Sequence, residues 1–253
     1  MTARVPTEPG PAIGDYEVSR LWREKMRRSL NNQYQRDDFV RSQLIRLPPN
    51  ALILDAGAGS QRYRADCGHL NYKAQDLGEY TRDEKQQLGD DRAGARDDYS
   101  FGPLDYVGNI WQIDEADNTF DAILCTEVLE HVPYPIDSVR ELTRLLKPGG
   151  RLILTAPSNC LRHFDPFFFT SGFSDRWFET VLPEVGMRVE SIEPVGDYYR
   201  WLAVELARTM KTHPLATPAL IPAFIFYRSK RPTKASTDTL CMGYHVVAQK
   251  PIN

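Results

Sequence analysis

Two carboxylates and two glycines in the first third of the chain have the types and spacing of a ligand-binding loop. Asp55 follows the apolar run 52–54, and Gly57 and Gly59 come next, separated by one small residue. Glycine accepts a tight turn and has no Cβ to hold a ligand away from the backbone. Asp76 lies about 20 positions further on, where a carboxylate can accept hydrogen bonds from both hydroxyls of a ribose. The pattern predicts a nucleoside site.

The charge of this loop bears on which nucleoside fits. A dinucleotide fingerprint, G-x-G-x-x-G, needs a third glycine, and Arg62 stands at that position. Asp55 would repel a pyrophosphate but suits a cationic ligand. Asp76 does not distinguish between these two kinds of nucleoside, because NAD enzymes also bind the ribose with a carboxylate at this position. The loop therefore favours a cationic nucleoside over NAD, and a plain strand-turn without a ligand stays open.

Three further motifs follow in order along the chain. Phe120-Asp121 precedes the apolar run 122–126, and Leu129-Glu-His-Val132 follows that run. Arg144-Leu-Leu-Lys-Pro-Gly-Gly150 then leads into a second apolar run, 151–155. Apolar residues at helical spacing before the Pro-Gly-Gly step indicate a helix that stops there.

Taken with the Asp-Ala-Gly-Ala-Gly loop, this series resembles the class I S-adenosylmethionine (SAM) dependent methyltransferases, over about 52–194. The resemblance implies an α/β fold: a Rossmann-like sheet of seven mostly parallel strands in the order 3-2-1-4-5-7-6. The last strand is expected to be antiparallel, with helices on both faces of the sheet. Ligands of such sheets bind at the carboxyl ends of the strands.

The resemblance implies SAM as the cofactor and places its contacts at those strand ends. Asn109 and Ile110 stand where the family meets the adenine amino group and ring. The predicted cofactor-binding residues are Asp55, Ala56, Gly57, Gly59, Asp76, Leu77, Asn109, Ile110 and Thr126.

Methyl transfer from a sulfonium needs mainly alignment, but an alcohol acceptor must also lose a proton, and a histidine is the usual base. His163, in an aromatic-rich segment, is the first candidate and His131 the second. A histidine that is only hydrogen-bonded within its loop, or that shapes the site, is the alternative for both. Glu127, Tyr34 and Phe167 are predicted to contact the acceptor.

Three functions remain open on these residues. The leading hypothesis is methylation of a hydroxyl on a small molecule, such as a sugar, a glycan precursor or a secondary metabolite. The segment around His163 supports it, because it resembles bacterial methyltransferases of glycan and secondary metabolism. Methylation at carbon or nitrogen of a quinone or polyketide is the second hypothesis. A catalytically silent SAM-binding scaffold is the third.

Composition excludes several other classes. The 253 residues are 42% hydrophobic, which suits one sizeable core, and the net charge of -3 disfavours nucleic acid as a partner. The four cysteines are scattered without a CxxC pair, so no zinc site, other metal site or disulfide framework is predicted. These features, with no apolar run near the roughly 18 residues of a membrane span, predict a cytoplasmic protein.

The chain is predicted to divide into a few segments. A short helix is expected over 61–67, a third strand over 104–107 and a polar loop over 229–239. The apolar stretch 214–227 contains two prolines, so core packing or a homodimer surface is favoured over membrane contact. The predicted organisation is a mobile tail (1–14), an N-terminal helical segment (15–47) and a methyltransferase domain (48–253) with a loop insertion (77–103) and additions for substrate or packing (159–185 and 197–240).

Overall fold

The computed structural model describes residues 32–78 and 102–252. The predicted tail 1–14, the first half of the segment 15–47 and most of the insertion 77–103 lie outside these described residues.

Seven strands form one sheet in the order β3-β2-β1-β4-β5-β7-β6. All pairings are parallel except those of β7, which runs antiparallel to both β5 and β6. The predicted strand order and the antiparallel last strand are therefore confirmed. The strands are β1 (Leu52–Ala56), β2 (Asn71–Asp76), β3 (Tyr106–Val107), β4 (Phe120–Thr126), β5 (Leu146–Pro157), β6 (Arg188–Val195) and β7 (Gly243–Gln249).

Six α-helices are described, and they cover both faces of the sheet. The two faces of β1 are both buried, because Ile53 packs into one hydrophobic cluster and its neighbour Leu54 packs into another. A strand covered on both faces needs such a continuous apolar run. The helices are α1 (Gln33–Leu44), α2 (Pro135–Leu145), α3 (Asp175–Glu184), α4 (Tyr198–Thr212), α5 (Thr217–Ser229) and α6 (Lys234–Thr239).

Two predicted elements near the glycine loop are shorter than expected. The helix over 61–67 is only a 3-10 turn, Arg64–Cys67, because Gln61 has a left-handed backbone with φ of 56°. The third strand is reduced to β3. Its first two predicted residues lie outside the strand, although Asp105 forms two hydrogen bonds with Ala74: its side chain accepts the N–H of Ala74 at 2.9 Å, and its backbone N–H donates to the carbonyl of Ala74 at 2.8 Å.

The segment 229–239 was predicted to be a polar loop, and this is wrong because it contains α6. Thr233 and Ser236 form a capping box, in which each side chain accepts the other residue's backbone N–H. The hydroxyl of Ser236 also donates to the buried carboxylate of Asp197 at 2.7 Å. A cap together with a tertiary hydrogen bond stabilises a six-residue helix that is too short to form alone.

The apolar stretch 214–227 is also helical, as most of it forms α5. Pro218 lies in the first turn, where its missing N–H has no helical partner to lose. No residue of α5 is buried, so the expectation of core packing is wrong. The helix packs on α4, and Ile221, Ile225 and Phe226 are exposed. Within the described residues, no helix has the length and apolar character to cross a membrane.

Candidate functional site

A cavity of about 320 Å³ opens at the carboxyl ends of the central strands. This volume falls in the range of about 300–1,000 Å³ that is typical of small-molecule sites. Its walls come from the loops after β1, β2, β3 and β4 and from the segment after β5. The lining residues are Gly57, Gln75, Asp76, Leu77, Gly108, Asn109, Ile110, Trp111, Glu127, Val128, His131, Val132, Pro133, Phe164, Phe167 and Phe169.

The glycine loop closes one side of this cavity. Gly57 has a φ of 72°, and a Cβ at this position would lie 2.4 Å from a methyl group of Val128. Only glycine therefore fits here without displacing its neighbour. Gly59 donates its backbone N–H to Oδ2 of Asp76 at 2.7 Å, which holds that carboxylate at the cavity wall.

Asp55 and Asp76 lie at the same edge of the sheet, on the neighbouring strands β1 and β2. Asp55 is fully buried and accepts a 2.6 Å hydrogen bond from the hydroxyl of Tyr72. Burial, with a further contribution from the charge of Asp76, raises the pKa of Asp55 to about 7, although the Tyr72 hydrogen bond opposes this. Near neutral pH its charge is therefore sensitive to any cation that binds nearby.

The nine residues predicted to contact the cofactor divide into two groups. Those that line the cavity are Gly57, Asp76, Leu77, Asn109 and Ile110. The other four lie behind it: Asp55 and Ala56 are buried in β1, Gly59 holds Asp76, and Thr126 ends β4 beside Thr155 of β5. Gln75, Val128 and Trp111 also line the cavity and were missed, since none belongs to a motif.

Glu127 lines the cavity from a left-handed backbone conformation with φ of 53°. Its Oε2 forms a 2.6 Å ion pair with the guanidinium of Arg36, and its Oε1 accepts the hydroxyl of Thr155 at 3.0 Å. Arg36 belongs to α1, so the ion pair ties this helix to the cavity wall. Arg36 was not predicted as a site residue, because nothing in the local sequence pattern marks it. Tyr34, in the first turn of α1, is not among the residues that line the cavity.

The two histidines predicted as bases are neighbours, with ring centroids 4.9 Å apart. His131 lines the cavity and its Nδ1 donates to the carbonyl of Phe167 at 2.7 Å. His163 is half-buried behind it, and its Nδ1 donates to the carbonyl of Leu161 at 2.8 Å. Burial lowers the pKa of His131 to about 4, so its ring is neutral at pH 7.

The carboxyl group of Glu130 lies beside these rings, and Glu130 was not predicted as a site residue. It is 1% exposed, and its Oε2 has no hydrogen-bond partner among the described residues. Burial and the charge of Glu127 hold the pKa of Glu130 well above its usual range. Its Oε1 lies 3.7 Å from Nε2 of His131.

Aromatic side chains from the segment after β5 also line the cavity. Phe167 was predicted to contact the acceptor and lines the cavity, together with Phe164 and Phe169. The backbone N–H of Phe169 donates to the carbonyl of Glu130 at 3.0 Å, which fastens this segment to the turn Leu129–His131. The run of phenylalanines at 164–169 was the signal that could have identified all three residues.

Comparison with known proteins agrees with this geometry. Residues 54–154 match a family model described as "Methyltransferase domain". A ubiquinone biosynthesis O-methyltransferase from Xanthomonas oryzae is 54% identical over 41 residues, which cover 16% of this chain and 17% of that protein. A ubiquinone/menaquinone biosynthesis C-methyltransferase from Klebsiella pneumoniae is 34% identical over 114 residues, 45% of this chain and 41% of that protein. The matches thus span less than half the length of either relative.

Solved structures share the fold at low sequence identity. The [4+2]-cyclase SpnF superposes with a TM-score of 0.52 at 16% identity, over 85% of this chain and 80% of that one. A geranyl diphosphate methyltransferase in complex with GPP and sinefungin gives a TM-score of 0.52 at 16% identity, over 86% of this chain and 77% of that one. These likenesses concern the fold alone.

Proposed function

Residues 54–154 match a methyltransferase domain, and from this premise we propose that the chain is a class I SAM-dependent methyltransferase that transfers the methyl group of SAM to a hydroxyl of a small molecule. The observation that carries the proposal is the shared cavity. Gly57 of the glycine loop, the carboxylate of Asp76, His131 and three phenylalanines all line it. The loop and the carboxylate suit a nucleoside, and the aromatic side chains suit an acceptor with an apolar body.

In the proposed reaction the chain contributes mainly alignment and exclusion of water. The acceptor oxygen attacks the methyl carbon, the carbon–sulfur bond breaks, and its electron pair goes to sulfur. The hydroxyl proton must leave as the new bond forms. His163 and His131 remain the proposed bases, because in each ring Nδ1 already donates and Nε2 can accept a proton.

SAM binding is the first test. Calorimetry is expected to show one SAM per chain, with an affinity at least tenfold lower in Asp76→Ala, since a ribose would lose a charged hydrogen-bond partner worth about 1.5–3 kcal/mol. Asp137→Ala is the matched control, because this aspartate is exposed on α2 and is not among the residues that line the cavity. Equal affinities in both variants and the parent would overturn the cofactor site.

The acceptor is identified by transfer of labelled methyl groups. The chain is incubated with labelled SAM and three acceptor panels: polyhydroxylated sugars, aromatic alcohols, and quinones with a free ring carbon. Label in an O-methyl product supports the proposal. Label on carbon or nitrogen supports the second candidate, which the alignment with the quinone C-methyltransferase favours over 114 residues. Absence of label from every panel and from extracts of the source cells would favour a silent SAM-binding scaffold.

We also propose a cellular location for this protein, roles for its additional segments and its partners. We place the reaction in the cytoplasm, supported by four cysteines that are all free thiols. The additions 159–185 and 197–240 are proposed to serve substrate binding and packing around the domain 48–253. A small-molecule acceptor is the proposed main partner, and a second copy of the chain is a further one.

A further inference from the structure

Three side chains beside the cavity, of which His131 lines it, bring metal-binding atoms together. Glu130, His131 and His163 each offer one such atom, and the three atoms lie within 4.8 Å of one another. Glu130 and His131 come from the turn after β4, whereas His163 comes from the segment after β5. The cluster therefore exists only because Phe167 and Phe169 fasten that segment to the turn.

The hydrogen bonds of the two histidines favour a metal ligand over an ordinary buried pair. A carbonyl oxygen can only accept, so Nδ1 of each ring carries the proton, and Nε2 of each ring holds a free lone pair. Metal-binding histidines are oriented in this way, with the second ring nitrogen donating to a carbonyl or carboxylate. Both imidazoles of the cluster thus already have the tautomer that a metal requires.

Glu130 supplies the third group and an independent reason for a ligand. A carboxylate oxygen buried without a partner costs free energy unless something binds it. A hydrogen bond to His131 does not satisfy this carboxyl group, because the 3.7 Å between Oε1 of Glu130 and Nε2 of His131 exceeds the length of a hydrogen bond. Arg36, a cation whose charge acts on Glu130, forms its ion pair with Glu127 instead.

We propose that Glu130, His131 and His163 bind a divalent transition-metal cation, and that this cation contacts the acceptor hydroxyl in the cavity. Two imidazoles and one carboxylate suit Zn²⁺ or Fe²⁺ and leave coordination positions for other ligands. Ligand bonds of about 2.1 Å need donor atoms roughly 3.0–3.4 Å apart, so the segment carrying His163 must close by up to roughly 1.4–1.8 Å from the present spacing of up to 4.8 Å. His163 is half-buried at the edge of the cluster, which leaves room for this movement.

The binding of the cation is independent of the proposed function, but its contact with the acceptor rests on it. A bound Zn²⁺ can lower the pKa of water to about 7, and it would act on an acceptor hydroxyl in the same sense. With the cation bound, Nε2 of His131 and of His163 would be a ligand and could not act as a base. The acceptor hydroxyl would then release its proton to water, and its oxygen would attack the methyl carbon while sulfur takes the electron pair. No oxidant or reductant is needed.

Metal binding is measured first, without SAM and without an acceptor. The chain freed of metal by chelation is titrated with Zn²⁺ by calorimetry and with Co²⁺ by visible absorption. One cation per chain is expected, with Co²⁺ bands that report nitrogen and oxygen ligands. Affinity is expected to fall roughly 100-fold or more in His163→Ala and Glu130→Gln, because even residues behind metal ligands contribute 10–100-fold.

Controls separate the site from adventitious binding and from misfolding. His69→Ala and His213→Ala remove histidines outside the cluster and should leave the affinity unchanged. His163→Ala lies on a half-buried loop and should keep the circular dichroism of the parent, so its loss of metal cannot be ascribed to unfolding. No stoichiometric binding, or equal losses in His69→Ala and His163→Ala, would overturn the proposed site.

Transfer assays then test the contact with the acceptor. If metal binds as expected and methyl transfer stops on chelation and returns with Zn²⁺ or another divalent cation, the contact is supported. Transfer that continues at full rate after chelation would overturn this contact while leaving the proposed function intact. Metal binding without any transfer would count against the proposed function and leave the cation site standing.

Discussion

The protonation state of the buried Asp55 side chain is expected to change when a cationic ligand binds. Its pKa of about 7 means that the free chain holds it partly protonated at neutral pH. SAM carries a sulfonium and an ammonium group, so its binding should favour the ionised carboxylate and release a proton.

We therefore expect the affinity for SAM to fall by up to tenfold for each pH unit below 7, and to level off above it. Calorimetry between pH 5.5 and 8 in buffers of different ionisation enthalpy measures both the affinity and the proton. The affinity of Asp55→Asn should be flat over this range, and a parallel slope in this variant would assign the proton to another group. The stability of the free chain has the opposite pH dependence. The raised pKa of Asp55 stabilises the fold most below the unfolded pKa of about 4, and this stabilisation is lost as the pH rises through 7.

Gly57 offers a second test at the scale of one residue. In Gly57→Ala the new methyl group would collide with Val128, so the free energy of unfolding should fall by about 1–3 kcal/mol and the affinity for SAM should drop. Gly186→Ala is the matched control, because Gly186 also has positive φ, 89°, but nothing lies within 4 Å of its Cβ position. The difference between the variants isolates the collision, and adding Val128→Ala should restore part of the loss. Equal destabilisation of both glycine variants would contradict this account.

At the scale of elements, the cavity depends on how α1 and the segment after β5 attach to the sheet. The ion pair between Arg36 and Glu127 is mostly buried, with side chains 15% and 27% exposed. Removing one partner of such a pair leaves an uncompensated charge, which costs far more than the loss of a surface pair.

Arg36→Met is expected to lower the free energy of unfolding by about 2 kcal/mol, since Glu127 would keep its charge without a partner. Denaturant unfolding measures this change. Arg41→Met on the same helix is the control: its side chain is 51% exposed, and loss of its pair with Asp66 should cost under about 1 kcal/mol. The Michaelis constant should rise only in Arg36→Met, as Glu127 lines the cavity. Similar effects of the two substitutions would contradict the role given to this ion pair.

At the scale of the whole molecule, the exposed apolar side of α5 predicts self-association. Ile221, Ile225 and Phe226 are 43%, 60% and 51% exposed on a helix that packs mainly on α4 among the described residues. Burying such a face against a second copy would remove apolar area from water.

Light scattering is therefore expected to give twice the mass of one chain, and Ile225→Asp with Phe226→Asp should give the monomer. Ile45→Asp is the control, because Ile45 is equally apolar and 78% exposed but lies at the end of α1. A parent chain that stays monomeric at micromolar concentration would refute the homodimer.

Much of this architecture could be read from local sequence. The apolar run before Asp55, the two glycines after it and the Pro-Gly-Gly step after α2 specify strands and turns through neighbouring residues alone, although β5 already begins at Leu146, ahead of that step. The strand order followed from the resemblance of these motifs to one family. The helix α6 was missed because its stability comes partly from a hydrogen bond to Asp197, 39 positions away from Ser236.

The side-chain partnerships at the cavity could not be read in this way. The pairing of Arg36 with Glu127, and the meeting of Glu130 and His131 with His163, join residues from separate elements. Backbone conformation depends on a few adjacent residues, so periodicity and turn chemistry reveal it. Contacts between distant side chains depend on how the elements pack and on the rotamers that packing permits, and these exist only in the folded chain.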